Sequence, residues 1–121
     1  MQVDFQNAGR YLEANVSGPY TLHSMRELID RIAEESAKRK LEYVLVDVSQ
    51  MTGDAPTTDR YQYAHYAAAT LGHLRKCAAC AGSGQRLEPF TEAVAQNRGL
   101  RLRVFRERTE AVSWLNADSG A

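Results

Sequence analysis

The segment Tyr43–Ser49, which reads Tyr-Val-Leu-Val-Asp-Val-Ser, constrains the fold more than any other part of the chain. Its apolar residues are nearly continuous and most are β-branched, which is typical of a strand buried on both faces. Such a strand belongs to a sheet that is covered by helices, so the segment predicts an α/β domain. The polar loop 50–59 follows directly, and we expect functional residues where the strand reaches the surface.

The rest of the chain predicts a hairpin followed by alternating helices and strands. Val3 and Phe5 alternate with polar residues, and alternation resumes over Tyr11–Val16 before Ser17-Gly18-Pro19 ends the hairpin. The later predicted elements are a helix from Leu22 to Lys40, the strand Tyr43–Ser49, a helix from Thr57 or Thr58 to Leu71, a strand from Lys76 to Ala81, a helix from Pro89 to Asn97, a strand from Leu100 to Val104 and a short helix that Thr109 caps. We expect Thr21 to cap the first helix, with a capping box of Ser24 and Glu27 as the alternative, and Gly99 to end the third helix in a left-handed conformation. The order β-β-α-β-α-β-α-β-α predicts a mixed, mostly parallel five-stranded sheet packed by about four helices.

Length and composition predict one globular domain. The chain has 121 residues and 25% charged residues, with 15 basic residues balanced by 15 acidic ones. This length suits a single domain, which we place at residues 1–117, with a frayed tail at 118–121. Because the net charge is zero, we expect neither nucleic acid nor an anionic membrane surface as a partner. No apolar stretch approaches a membrane span, and the first residues lack a basic leader, so we expect a cytoplasmic protein.

Three parts of the sequence resemble one known family. These are the strand Val44-Leu-Val-Asp-Val-Ser49, the stretch Asn97–Phe105 and the closing Ala111-Val-Ser-Trp-Leu115. Together with the element order, they resemble the SpoIIAA-like group within the STAS domains, over almost the whole chain. The resemblance implies a non-enzymatic regulatory or ligand-binding module without a cofactor. Some relatives bind partner kinases, and others share their fold with lipid-carrying domains.

The resemblance also points to the loop after the third strand. Antagonists in this family carry an Asp-Ser-Ser-Gly-like phosphoacceptor there, but this chain has Asp54-Ala-Pro-Thr-Thr58 with no glycine following. Only Thr57 or Thr58 could accept phosphate, so the phosphoacceptor motif is not intact. With Asp59, these threonines are candidates for an anion site at a helix start, and simple helix capping is the alternative.

Two further groups of residues are candidates for a site. Ser83 and Gly84 follow the fourth strand and should lie beside the first loop, but they form no phosphate-binding fingerprint and a flexible connection is the simpler interpretation. A second group comprises Asp54 and the aromatic residues of the second helix, Tyr61, Tyr63, His65 and Tyr66. These residues could form a ligand pocket or a partner surface, or they could be partly buried against the sheet.

Cys77 and Cys80 have a redox spacing, and His73 precedes them. Residues three apart on a strand point to opposite faces, so we expect reduced, buried cysteines and no metal site. The arginines between Arg98 and Arg108 alternate along a strand and are interrupted by Glu107, which indicates a solvated edge. We identify no catalytic residue.

Two functions remain open on the sequence. The first is a protein-interaction module whose surface is formed by Thr52–Asp59 and the second helix. The alternative is a carrier or sensor of a small apolar or amphipathic, lipid-like molecule held between the sheet and that helix. An enzyme would need a histidine within hydrogen-bond reach of a cysteine or hydroxyl in a cleft. The hairpin's free sheet edge also allows a homodimer.

Overall fold

The computed structural model describes residues 1–87 and 89–117. It has nine elements in the predicted order, which are β1 (Gln2–Ala8), β2 (Tyr11–Pro19), α1 (Leu22–Arg39), β3 (Tyr43–Thr52), α2 (Thr57–Thr70), β4 (Lys76–Cys80), α3 (Pro89–Asn97), β5 (Leu102–Phe105) and α4 (Arg108–Asn116). The predicted tail, 118–121, lies outside the described residues.

The five strands form one sheet in the order β1-β2-β3-β4-β5. β1 pairs with β2 antiparallel, and the other neighbours are parallel. The predicted mixed, mostly parallel sheet is therefore confirmed. β3 is central, and Val44 and Leu45 are fully buried, which confirms burial on both faces of this strand.

Helices cover the two faces of the sheet unequally. The larger apolar cluster lies on what we call the three-helix face, where Leu12, Val44 and Val46 pack against residues of α1, α2 and α3. The smaller cluster lies on the α4 face, where Leu45 and Ala78 pack against Ala111 and Leu115 of α4 and against Phe105. Alternate residues of each strand belong to opposite faces, as the two-residue period of a strand requires.

Two predicted ends are wrong because backbone pairing extends beyond the apolar pattern. β2 continues through Ser17-Gly18-Pro19, where we expected the hairpin to end, and β3 continues from Gln50 to Thr52, where we expected a loop. A register shift between Asn15 and Ser17 lets the two polar segments continue the parallel ladder. Main-chain hydrogen bonds, which carry no hydrophobic signature, hold this extension.

The predicted helix caps have mixed outcomes. Thr21 is the N-cap of α1, and it forms a reciprocal capping box with Ser24 rather than leaving Ser24 to pair with Glu27. Thr57 and Thr58 do not cap α2, because Thr57 is already helical and Pro56 occupies the cap position. Thr109 likewise does not cap α4, whose N-cap is Glu107.

The predicted end of α3 is confirmed, whereas the predicted start of β5 is wrong by two residues. Gly99 follows α3 with a φ of 98°, the left-handed conformation expected at this helix end. β5 begins at Leu102 instead of Leu100. The backbone N–H of Leu100 donates to the carbonyl of Ala95 at the end of α3, so Leu100 belongs to the turn.

Candidate ligand-binding pocket

A cavity of about 400 Å³ lies between the three-helix face of the sheet and the helices that cover it. Small-molecule pockets typically measure roughly 300–1,000 Å³, so this volume suits a small ligand. The walls are mainly apolar, and representative lining residues are Leu28, Ile32, Val46, Leu71, Leu100 and Val104. We call this space the sheet–helix cavity.

Small side chains leave this space unfilled. Four alanines line the cavity: Ala64 and Ala67 of α2, Ala79 of β4, and Ala81. The buried residues of α2 are alanines, so this helix brings little side-chain volume to the interface. Protein interiors are normally close-packed, and a gap of this size loses dispersion contacts along its walls. The gap therefore has a cost that a bound apolar group would offset.

Two loops form the polar rim of the cavity. Gly53, Asp54 and Ala55 follow β3, while Gly84 and Gln85 follow β4, and all of them line the cavity. Gln85 links the loops, because its Nε2 donates to the carbonyls of Val48 (2.7 Å) and Met51 (3.1 Å). The predicted proximity of these two loops is thus observed, at the carboxyl ends of parallel strands.

Charged groups gather at this rim around Asp54. Oδ1 of Asp54 lies 2.9 Å from Nη2 of Arg60, and Oδ2 lies 3.3 Å from Nη2 of Arg86. The carbonyl of Ala55 accepts hydrogen bonds from both arginines, each at 3.1 Å. The rim thus presents two guanidinium groups that converge on one carboxylate.

Two tyrosines stand beside the rim. The hydroxyl of Tyr20 donates to Oδ2 of Asp59 at 3.0 Å, and the rings of Tyr20 and Tyr63 are 6.3 Å apart. Both tyrosines line the cavity. Burial and the hydrogen bond to Asp59 raise the pKa of Tyr20, so its phenol stays protonated and acts as a donor.

The other predicted aromatic residues of α2 point away from the cavity. Tyr61 is 48% exposed, and its ring lies 4.5 Å from that of His65. Tyr66 donates to Oδ1 of Asp30 on α1 at 2.5 Å, which raises the pKa of the Tyr66 phenol. Of the aromatic candidates, only Tyr63 lines the cavity.

The remaining predicted residues lie on the surface near the rim. Thr57 and Thr58 are exposed in the first turn of α2. Ser83 is exposed, and its carbonyl, like that of Gly82, accepts a hydrogen bond from Arg106. Neither threonine lines the cavity, whereas Gly84 and Asp54 do.

Two buried polar atoms have no hydrogen-bond partner in the described part of the chain, Nε2 of His65 and Oγ1 of Thr91. Thr91, in the first turn of α3, is only 6% exposed and lines the sheet–helix cavity. Buried polar groups in native proteins nearly always have a partner, because leaving one without costs about 1–3 kcal/mol. The Thr91 hydroxyl is therefore available to a ligand.

Two arrangements that could suggest catalysis contain a buried hydroxyl or a buried thiol. Nε2 of His73 is 3.0 Å from Oγ of Ser36, but Ser36 is fully buried and neither residue lines the cavity. Cys77 and Cys80 are free and belong to opposite faces of the sheet, as predicted. Burial raises the pKa of Cys77 to about 12, so its thiol is unreactive at neutral pH. Residues 1–87 and 89–117 contain no cluster of metal-ligating side chains.

A second polar cluster lies on the α4 face. Arg108 at the start of α4 reaches Oδ2 of Asp47 and Oε1 of Glu13, each at 2.6 Å. Asp47 also accepts hydrogen bonds from the N–H and hydroxyl of Ser49. Burial tends to raise the pKa of Glu13, but hydrogen bonds from Asn15 and other neighbours, together with the charge of Arg108, hold that pKa below its ordinary value. All of these groups pair internally, so the cluster is structural.

Four residues at the cavity were missed by sequence reasoning: Tyr20, Arg60, Arg86 and Thr91. The sequence contained one indication for Arg60. A basic residue in the first turn of a helix interacts unfavourably with the helix dipole, so its position there indicates a role other than stabilising the helix. The other three residues lie in loops or on a short helix, where sequence spacing does not predict the direction in which a side chain points.

A family model described as SpoIIAA-like matches residues 11–116, which includes every element except β1. The chain belongs to the SpoIIAA-like family. Proteins of this family are generally regulators or protein-interaction modules rather than enzymes. No curated protein matches the chain.

Two solved structures share the fold of this SpoIIAA-like protein. An uncharacterised protein with a SpoIIAA-like fold from Shewanella loihica PV-4 is 14% identical, with a TM-score of 0.54, over 94% of this chain and 92% of its own. The anti-sigma factor antagonist SpoIIAA in its unphosphorylated form is 10% identical, with a TM-score of 0.52, over 97% of this chain and 100% of its own. At these identities the likeness shows the fold alone. Within the described residues, no helix is long and apolar enough to cross a membrane.

Proposed function

We propose that this SpoIIAA-like protein is a non-enzymatic regulatory module that holds a small amphipathic molecule in the sheet–helix cavity. The observation that carries the proposal is the cavity itself, about 400 Å³ of mainly apolar space with a charged rim. Binding sites for small molecules combine apolar walls with a few polar groups that fix orientation. The apolar part of the ligand would fill the space that the alanines leave, and its polar part would meet the rim.

Native mass spectrometry of freshly purified protein tests the proposal. The expected result is added mass on the wild-type protein, or binding of added decanol by calorimetry if the protein is purified empty. Ala67→Leu, which extends into the cavity, should weaken binding, whereas Ala69→Leu on the exposed side of the same helix should leave it intact. If neither probe detects a ligand on wild-type protein, or if both variants bind equally, the proposal is wrong.

A protein partner is the second candidate, and the exposure of the β3–α2 loop favours it. From Thr52 to Thr58 the residues are exposed except Ala55, and Tyr61 beyond them is one of two large apolar side chains exposed in the described residues. Tyrosine is enriched where proteins bind one another, because it offers apolar area and a hydrogen bond. The structural neighbour SpoIIAA is itself described as an anti-sigma factor antagonist.

Site-specific photo-crosslinking distinguishes this surface from the rest of the molecule. A crosslinker at Tyr61 or Thr58 should capture a defined partner in cells, while one at exposed Glu34 on α1 should not. Crosslinks that form only through Glu34 would contradict the proposed surface. Thr57 and Thr58 remain the candidate phosphoacceptors, and phosphopeptide analysis of the protein from its host tests them.

The proposal that the protein is not an enzyme is supported by the burial of Ser36 and by the raised pKa of Cys77, which keeps this thiol protonated at neutral pH although it lines the cavity. Cytoplasmic location and homodimerisation are also proposals. The two free cysteines support the first, and the free edge of β1 supports the second. Light scattering of purified protein tests the dimer.

A further inference from the structure

The rim of the cavity already binds a carboxylate, that of Asp54. Its two oxygens lie 2.9 Å from Arg60 and 3.3 Å from Arg86. The Asp54 side chain is 62% exposed, so water competes for it and the pairing contributes little to stability. An ion pair of this kind exchanges readily for another carboxylate that brings apolar surface with it.

The guanidinium groups do not depend on Asp54 alone for their position. The Arg60 side chain is only 12% exposed, and its Nε donates to the carbonyl of Ala55 at 3.1 Å. Arg86 donates to the same carbonyl at 3.1 Å. Both donors are therefore held at the rim by main-chain contacts, which lowers the entropic cost of binding an anion there.

Thr91 adds an uncharged donor to the same cavity. Its hydroxyl is buried and lacks a partner in the described residues, while its neighbours in the wall are mainly apolar. A hydroxyl in such a place costs stability unless a ligand satisfies it. The cavity thus offers two guanidinium groups and a hydroxyl at its polar positions, and apolar surface elsewhere.

We propose that the ligand is a single-chain amphiphile with a carboxylate head, which replaces the Asp54 carboxylate between Arg60 and Arg86 while its chain fills the sheet–helix cavity. The Thr91 hydroxyl donates a further hydrogen bond to this ligand. The proposal rests on the proposed function and specifies the class of ligand. The volume of 400 Å³, near the lower end of the usual range, suits one chain.

Calorimetric titration with decanoate and with decanol separates the contribution of the head group to affinity from that of the chain. Wild-type protein should bind both, and decanoate more tightly. Asp54→Asn removes the competing carboxylate, so it should tighten decanoate binding about tenfold and change decanol binding much less, because the alcohol is uncharged.

Arg86→Gln should weaken decanoate binding about tenfold and decanol binding much less. The matched control is Arg75→Gln, because Arg75 is also exposed and ion-paired, with Glu42, but does not line the cavity. Thr91→Val keeps the shape of the side chain. It should weaken decanoate binding several-fold while the unliganded protein unfolds at the same or a higher temperature, because the variant loses a hydroxyl that has no partner.

The outcomes distinguish the two proposals. If neither decanoate nor decanol binds, the proposed function fails and the carboxylate proposal fails with it. If decanol binds as tightly as decanoate, and neither Asp54→Asn nor Arg86→Gln changes decanoate affinity, only the carboxylate proposal is overturned. A loss of decanoate affinity in Asp54→Asn would also overturn it, because the native carboxylate would then assist binding rather than compete.

Discussion

The two faces of the sheet are filled in different ways. Three helices cover one face, yet alanines of α2 and β4 leave a cavity of about 400 Å³ beneath them. One short helix, α4, covers part of the other face, where Leu45, Ala111 and Leu115 are completely buried. The face with more secondary structure above it is the less fully packed, so side-chain volume rather than the number of helices decides how well a core is filled.

The two faces also differ in whether their polar groups have hydrogen-bond or ion-pair partners. On the α4 face, the charges of Arg108, Asp47 and Glu13 satisfy one another within 2.6 Å. On the three-helix face, the Thr91 hydroxyl has no partner in the described residues. A satisfied network stabilises the folded protein by itself, whereas an unsatisfied group in a cavity reduces stability and favours binding of a ligand. The α4 cluster is therefore structural, and the ligand site that we propose lies on the three-helix face.

The largest expected difference comes from truncating one leucine on each face. Leu115→Ala should reduce the free energy of unfolding by about 4 kcal/mol, and Leu71→Ala by about 2 kcal/mol. Both leucines are at most 2% exposed, but Leu71 already borders the cavity and has fewer packing contacts to lose. Urea unfolding of the two variants measures the difference. Equal losses would show that the cavity wall is as well packed as the α4 face.

Enlarging an alanine on each face gives the next largest effect. Ala111→Leu should destabilise the protein by about 1–3 kcal/mol, because Ala111 is completely buried against the sheet and does not line the cavity. Ala67→Leu, which extends into the cavity, should be neutral or stabilising by up to about 1 kcal/mol. Thermal unfolding without ligand measures both. A similar loss of stability in the two variants would remove the contrast between the faces.

The smallest expected effect concerns the charges of the α4 face. Arg108→Gln should cost about 1 kcal/mol at neutral pH, because it leaves the mostly buried Asp47 and Glu13 without their cation, although the exposure of Arg108 limits the loss. The pKa of Glu13 is lowered in the folded protein, so its contribution is present above its ordinary value of 4.5 and disappears as the pH falls below it. The variant should therefore approach wild-type stability on acidification. A difference that stays constant from neutral to acidic pH would contradict this role.

The fold was largely predictable because the signals were local and repeated. The apolar run from Val44 to Val48, the helical spacing after Thr21 and the glycine at position 99 each report on their own few residues, and they agree with one another. The wrong predictions share a cause. Thr57 and Thr109 are good cap residues in general, but here the chain enters each helix before it reaches them.

The candidate site was only partly predictable. Asp54 and Gly84 were identified because polar and glycine residues follow buried strands, and Tyr63 because aromatic residues cluster on the second helix. Arg86 and Thr91 were not, because they reach the cavity from a loop and a short helix whose directions depend on packing. Helical spacing separated Tyr63 from Tyr61 but did not show which of the two faced the sheet.

The sequence by itself determined the order of the elements, the central buried strand and the opposite directions of Cys77 and Cys80, because each follows from a repeat of two or 3.6 residues along the chain. Only the tertiary structure decided that there is a cavity and which groups line it. A cavity is the difference between the volume that helices and sheet enclose and the volume of the side chains between them, and that difference appears only when distant segments come together. The meeting of Arg60, Arg86 and Asp54 at its rim depends on the same assembly.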